Sequence, residues 1–284
     1  MIKLIDYHIH SKLCRHGEGE LEEYVKSAIK KGFIEIGFCE HFPQEFLLEN
    51  LPQKYHYLIP IEEYAMPQEQ FPDYINRVLE LREKYKATIS IKLGTEIDYL
   101  KNKAQYISAE IKKYPFDYIF GSIHQIYFNG KPFAFDDSRF LDLYDEYDID
   151  DCYKLYFTAL GEAINSGLFD VVSHLDLIKK YGFRPKNRNN YRSIIKEILG
   201  LIHQHGLVIE LNTAGARKKV GEFYPEDFIL KEIYEKGIEI TLGSDAHRPN
   251  EVGYKFDEAI KKLKEIGFEY LIKFSKRIRE KYYL

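Results

Sequence analysis

Apolar residues recur along this chain in two rhythms. Short runs bounded by turn residues cover Ile2–Asp6, Glu35–Cys39, Ile89–Gly94, Asp117–Ser122, Asp170–Ser173, Leu207–Leu211 and Ile238–Gly243, and these read as seven strands. Longer segments with helical spacing lie between and after them, over Glu20–Lys31, Asp73–Tyr85, Asn102–Lys113, Asp151–Asn165, Tyr191–His205, Pro225–Lys236 and Glu258–Glu265. Several of these end at Gly, as helix C-termini prefer: Lys31-Gly32, Ser166-Gly167, His205-Gly206 and Lys236-Gly237. Strand and helix in alternation predict βα units and an α/β fold with a parallel sheet.

One stretch breaks the rhythm. Residues 42–72 hold five of the ten prolines and many aromatics, which predicts an ordered lid inserted between a strand and a helix. The tail, Lys273 to Leu284, alternates basic and apolar residues and reads as a solvated closing segment. The sequence contains no internal repeat and no low-complexity linker.

Composition narrows the function. The 284 residues are 45% hydrophobic, and 41 basic residues against 45 acidic ones give a net charge of -4, so a generic nucleic-acid partner is not expected. The chain opens on no signal-like segment and contains no apolar run of membrane-spanning length, which predicts a cytoplasmic protein without a membrane partner. Cys14, Cys39 and Cys152 are odd in number and lack a CxxC pair, so any metal must be held by nitrogen and oxygen. A homo-oligomer is compatible with the sequence and not fixed by it.

The polar chemistry gathers at strand ends. His8 and His10 follow the first strand, then Glu40-His41, Glu96, His124, His174, Asn212, and Asp245 with His247 follow the others; His16 lies in the first loop. In a barrel of parallel strands those ends converge on one face. Seven imidazoles with Glu96 and Asp245 exceed what one catalytic zinc requires and match two or three divalent cations sharing carboxylates. Such clusters activate water near neutral pH and clamp the oxygens of a displacement at phosphorus, which points to a metallophosphoesterase. Imidazole suits Zn, Fe and Mn alike. Glu40 stands outside this ligand set, as a carboxylate able to orient an imidazole. His203 and His205 belong to a helix end, and Cys14 and Cys39 read as packing residues. For the phosphate, Arg217 after the sixth strand is the first candidate and Arg184 after the fifth the second. Arg15 and Arg248 adjoin the metal motifs as charge-balancing residues.

Seven motifs together resemble the PHP (polymerase and histidinol phosphatase) family, and within it the monofunctional histidinol-phosphate phosphatases. They are Asp6-Tyr7-His8-Ile9-His10-Ser11, Cys39-Glu40-His41-Phe42-Pro43, Gly94-Thr95-Glu96-Ile97-Asp98-Tyr99, Gly121-Ser122-Ile123-His124, Ser173-His174-Leu175-Asp176, Glu210-Leu211-Asn212-Thr213-Ala214-Gly215 and Gly243-Ser244-Asp245-Ala246-His247. The resemblance implies a distorted (β/α)7 TIM-like barrel, with residues 1–284 as a single domain carrying the 42–72 lid. It also implies a trinuclear site: one metal on His8, His10, Glu96 and Asp245, a second on Glu96, His124 and His174, a third on His16, His41 and His247. The stretch departs from the family at Ala216, where Leu is usual before the arginine.

The activity so implied is hydrolysis of L-histidinol phosphate to L-histidinol and phosphate in histidine biosynthesis. Glu96, Asp245, His247 and Arg217 form the catalytic set, with His247 or a bound water as proton source for the leaving alkoxide. Glu62, Glu63 and Glu69 in the insertion are the candidate partners for the substrate amine. The alternative substrate is another phosphate ester: a nucleotide, a sugar phosphate or a DNA 3' end. Two rivals of other kinds are a metal-binding module without turnover, which the complete ligand set disfavours, and an amidohydrolase-like enzyme, which wants a strand-end lysine that is absent.

Overall fold

The computed structural model describes residues 4–284. In chain order it has β1 (Leu4–Ile9), α1 (Leu21–Lys30), β2 (Phe33–Phe38), α2 (Glu45–Leu48), α3 (Ile61–Tyr64), α4 (Phe71–Tyr85), β3 (Ser90–Asp98), α5 (Ala104–Ile111) and β4 (Tyr118–Ser122). Next come β5 (Ile126–Phe128), β6 (Lys131–Phe133), α6 (Leu143–Glu146), α7 (Ile149–Asn165), β7 (Val171–Val172), α8 (Arg188–His205) and β8 (Val208–Asn212). The chain finishes with α9 (Asp227–Glu235), β9 (Ile240–Gly243), α10 (Phe256–Ile266), β10 (Tyr270–Ser275) and β11 (Ile278–Tyr283).

Seven strands form one parallel sheet in the order β1-β2-β3-β4-β7-β8-β9. The sheet closes where His10 N–H donates to Ala246 O at 2.9 Å and Ala246 N–H donates to His8 O at 3.2 Å. This is the expected distorted (β/α)7 barrel, and β7, only two residues long, is its weakest stave. The strands read as near-continuous apolar runs because both faces are covered. Local chemistry sets the helix ends. Asp148 caps α7 by accepting from Asp150 N–H at 2.8 Å, and Asn187 caps α8 by accepting from Asn190 N–H at 3.0 Å. Gly206 ends α8 at φ 63°, where a side chain would be strained.

Two segments differ from the sequence reading. The tail is not solvated throughout: β10 and β11 pair antiparallel, and Phe274 of the tail joins Leu271 and Ile272 just before it against the N-terminal end of the barrel, while most of the rest of Lys273–Leu284 is exposed. Phe274 N–H donates to Tyr7 Oη at 3.1 Å, Thr241 Oγ1 donates to Ile272 O at 2.9 Å, and Arg277 N–H donates to Asp117 O at 2.8 Å. The alternation of Lys and apolar residues is the period-2 pattern of a half-buried strand, with only β11 facing water. The second difference is the β5–β6 hairpin, turned by Asn129 and Gly130 at φ 50° and 81°, the positive pair that a two-residue primed turn requires.

The insertion packs inward through Phe42, Phe46, Leu58, Met66 and Phe71, all buried, with the Phe42 and Phe71 rings edge to face at 5.1 Å. Arg139, beyond β6, pairs with Glu63 of α3 at 2.8 Å and holds the two segments together. Among the described residues no helix is long and apolar enough to cross a membrane.

Candidate metal centre

The barrel delivers its histidines from successive strand ends, as the alternation along each strand dictates. His8 and His10 are fully buried, with ring centroids 4.8 Å apart. His10 stacks against His41 and His247, each at 4.5 Å, and His16 lies 4.5 Å from His247. His124 and His174 approach at 5.1 Å on the other side.

Glu96, from β3, stands in the middle of this array. Its Oε2 is 3.4 Å from His8 Nε2, 3.6 Å from His10 Nε2 and 3.2 Å from His41 Nδ1. Its Oε1 is 2.9 Å from His174 Nε2 and 3.8 Å from His124 Nε2. The two oxygens thus serve two different sets of imidazoles. Asp245 Oδ1 approaches His10 Nε2 at 3.7 Å, and Asp245 adopts φ 51°, a conformation that Asp tolerates better than most residues. All nine residues predicted as ligands therefore fall at one face of the barrel.

Several of these nitrogens lack a hydrogen-bond partner although buried: both of His10, Nδ1 of His41 and Nδ1 of His174. Buried polar atoms are normally satisfied, so clustered imidazole lone pairs around carboxylates are the donor chemistry of a cation site. His8, His10 and Asp245 form one group of ligand atoms within 4.8 Å of one another, and His10, His41 and His247 form another.

Carboxylates that the sequence reading left without a role hold these rings. Glu210 Oε1 accepts from His8 Nδ1 at 2.7 Å, and its Oε2 accepts from His174 N–H at 2.9 Å. Asp98 Oδ1 accepts from His124 Nδ1 at 2.6 Å. The available signal was alternation: Asp98 is two residues past Glu96 on β3, and Glu210 is two before Asn212 on β8, so each shares a face with a residue already singled out. Gly243 is required here because a Cβ would collide with Glu210 and His8. Glu40 orients no imidazole; it accepts from Ser11 N–H at 2.7 Å and Ser11 Oγ at 2.6 Å, and burial pushes its carboxyl up to about 8. Cys14 is buried and its thiol donates to Ser11 O at 3.0 Å.

The electrostatics suit ligation. Burial pushes His41 and His247 down to about 3, so both are neutral near pH 7. Burial alone would raise Glu96 and Asp245, but the surrounding imidazoles, His8 foremost, outweigh it and hold both carboxyls below their usual range.

The centre forms the floor of a cleft of about 350 Å³, large enough for a small substrate. Arg217 lines it: one Nη donates to Ser244 O and Asp245 O, each at 3.0 Å, and the other is buried without a partner. Arg184 does not line the cleft. It turns to Glu222 at 2.8 Å and Glu226 at 3.5 Å, an ion pair that occupies the guanidinium elsewhere. Lys180, not singled out from the sequence, lines the cleft and pairs with Asp136 at 3.2 Å. The insertion contributes Gln44, Ile59, Pro60 and Tyr64 to the wall. Glu62, Glu63 and Glu69 do not line the cleft; all three are exposed, Glu63 paired with Arg139, and Tyr64 is the α3 side chain that faces it. His203 and His205 lie far along α8, as expected of a helix end, with His205 Nε2 3.0 Å from Asn165 Oδ1.

Comparison with known proteins agrees with this geometry. The PHP domain family matches residues 6–214. A probable histidinol-phosphatase of Deinococcus radiodurans is 32% identical over 267 residues, covering 94% of this chain and 95% of that protein. The histidinol-phosphatase of Bacillus subtilis is 31% identical over 271 residues, covering 89% of this chain and 96% of that protein. Among solved structures, histidinol phosphate phosphatase from Lactococcus lactis, determined with zinc, L-histidinol and phosphate, superposes with a TM-score of 0.77 at 22% identity, over 99% of this chain and 100% of that one. That likeness concerns the fold. The family match and the two relatives above 30% identity carry the assignment: this chain belongs to the PHP domain family.

Proposed function

We propose that this protein hydrolyses L-histidinol phosphate to L-histidinol and phosphate, using two or three divalent cations. The observation that carries the reading is Glu96, whose Oε2 faces His8, His10 and His41 while its Oε1 faces His174 and His124. Relatives at 31% and 32% identity named as histidinol-phosphatases support the substrate. His8, His10, Glu96 and Asp245 would hold one cation, Glu96, His124 and His174 a second, and His16, His41 and His247 a third. Zinc is the first candidate, with iron and manganese behind it on the same donor set. Bound there, the cations would supply Lewis acidity and an activated water near neutral pH.

The chain's own residues do the rest. Arg217, anchored through one Nη on the Ser244 and Asp245 carbonyls, offers its unpartnered Nη to a phosphoryl oxygen. Lys180 places a second positive charge in the cleft. Asp136, which lines the cleft and is paired with Lys180, is a nearer carboxylate for the substrate's ammonium group than the three exposed glutamates. We assign His247 to metal binding and not to proton donation, because its Nδ1–H is engaged by Asp245 O at 3.0 Å and its Nε2 carries the lone pair. Residues 42–72 act as a lid on a single barrel domain, contributing one wall of the cleft.

The deciding experiment pairs elemental analysis of the purified protein with kcat/KM for L-histidinol phosphate, nucleoside monophosphates and single-stranded DNA. A metal-loaded protein fastest on histidinol phosphate is expected. A kcat/KM highest on DNA would overturn the substrate assignment.

A further inference from the structure

Gln44, at the start of the insertion, reaches the metal centre through a carboxylate on another element. Its side chain is buried and its amide N–H donates to Asp98 Oδ2. Asp98 Oδ1 holds His124 Nδ1 at 2.6 Å, and His124 Nε2 lies 3.8 Å from Glu96 Oε1. A carboxylate bound through one oxygen still turns about its broad terminal torsion. Engaging the second oxygen from the insertion removes that freedom, and the His124 ring follows.

Gln44 makes no side-chain bond that starts α2; Leu47 N–H bonds to the Gln44 backbone carbonyl at 2.9 Å, which any residue would provide. The amide therefore serves Asp98 and not the local helix. We propose that Gln44 is a positioning residue for the cation on His124, acting through Asp98 and tying the insertion to the strength of that site. The proposal rests on the assignment of His124 as a ligand. Outer partners of this kind orient ligating imidazoles, and losing one weakens metal affinity by about 10- to 100-fold.

The test uses the full chain stripped of metal and titrated with zinc(II) against a competing chelator. It compares Q44M, D98N, the double variant and H124A, with thermal unfolding of each metal-free protein alongside. Expected is a loss of about 10-fold in affinity at one site for Q44M, an equal or larger loss for D98N, and no further loss in the double variant. Wild-type zinc affinity in Q44M, or a full additional loss when Q44M is combined with D98N, would overturn the proposal. So would a lowered unfolding temperature with all zinc affinities unchanged, since Gln44 would then be purely structural. Should Q44M fail to fold, Q44A is read by the same criteria. H124A retaining every affinity would instead remove the ligand assignment beneath the proposal.

Discussion

The Nε2 atoms of His16 and His247 stand 2.8 Å apart, face to face. Each ring's other nitrogen approaches a backbone carbonyl, Cys14 O at 2.8 Å for His16 and Asp245 O at 3.0 Å for His247. A carbonyl only accepts, so both Nδ1 atoms carry hydrogen and both Nε2 atoms present lone pairs to each other. Two lone pairs at that separation repel unless a proton or a cation lies between them. Burial disfavours the charged form of both rings, which leaves the cation as the partner. His16→Ala and His247→Ala should each lower bound metal by one ion per chain, read by elemental analysis, while Asp245 and Glu96 keep the others. Full metal content in both variants would remove the third site.

Glu96→Gln tests the shared carboxylate. The amide keeps the shape but loses the charge and one acceptor oxygen, so it cannot face two imidazole sets as an anion. The loss in kcat should be on the order of 100-fold or more, at or beyond the upper limit for an outer partner. A near wild-type kcat with full metal content would show that Glu96 does not bridge.

Arg217 and Arg184 make a matched pair of controls. Arg217 lines the cleft with one Nη unpartnered, while Arg184 is committed to Glu222 and Glu226. Arg217→Ala should lower kcat/KM by about 10- to 100-fold, the loss of one or two charge-assisted hydrogen bonds. Arg217→Lys should recover only part, since the fork is lost. Arg184→Ala should stay within about 2-fold of wild type, as expected of a partly exposed ion pair. Steady-state kinetics on histidinol phosphate separates these outcomes.

The seven strands, and the gathering of nine candidate ligands at one face, were legible because six of the strands run apolar and then release a His, Glu or Asp near the C-terminal end, the remaining one releasing Asn212. That pattern has no common structural explanation in a packed barrel. Asp98 and Glu210 were less legible, since a carboxylate in a strand motif does not say which imidazole it will meet; that depends on β3 lying beside β4 and on β8 lying one strand away from β1, across β9, in the closed barrel. Arg184 misled for the same reason. Position after a strand end is shared by many residues, and only the neighbouring Glu222 and Glu226 decide which way a long side chain turns. The tail was read correctly over β11, which faces water, and missed at Phe274, because Lys beside apolar residues fits a solvated run and a half-buried strand equally well.

Phe274 tests that last point. It is 1% exposed and lies edge to face with Tyr7 at 5.9 Å at the N-terminal end of the barrel, away from the metal centre. Phe274→Ala should cost about 3–5 kcal/mol of stability, a buried-aromatic truncation with its cavity. Denaturant unfolding measures it, and metal content should not change. A loss under about 1 kcal/mol would return the tail to a dispensable segment.

Metal loading should release protons, and the sign follows from two histidines. Burial works against a charged His124, but the Asp98 and Glu96 carboxylates outweigh it and push its pKa up to about 10. His8 is raised well above its ordinary value by Glu210 and Glu96 against the same burial. Both rings therefore carry a proton at pH 7 in the metal-free protein, and each must surrender its Nε2 proton to become a ligand while Nδ1–H stays on its carboxylate. His41 and His247, held near 3, are already neutral and release none. Zinc binding at pH 7 should thus expel about two protons from protein ligands, and apparent affinity should weaken as pH falls. Calorimetric zinc titrations in buffers of different ionisation enthalpy count those protons. A count near zero at pH 7 would mean that His8 and His124 are neutral before the metal arrives, and that Glu210 and Asp98 orient the rings without charging them.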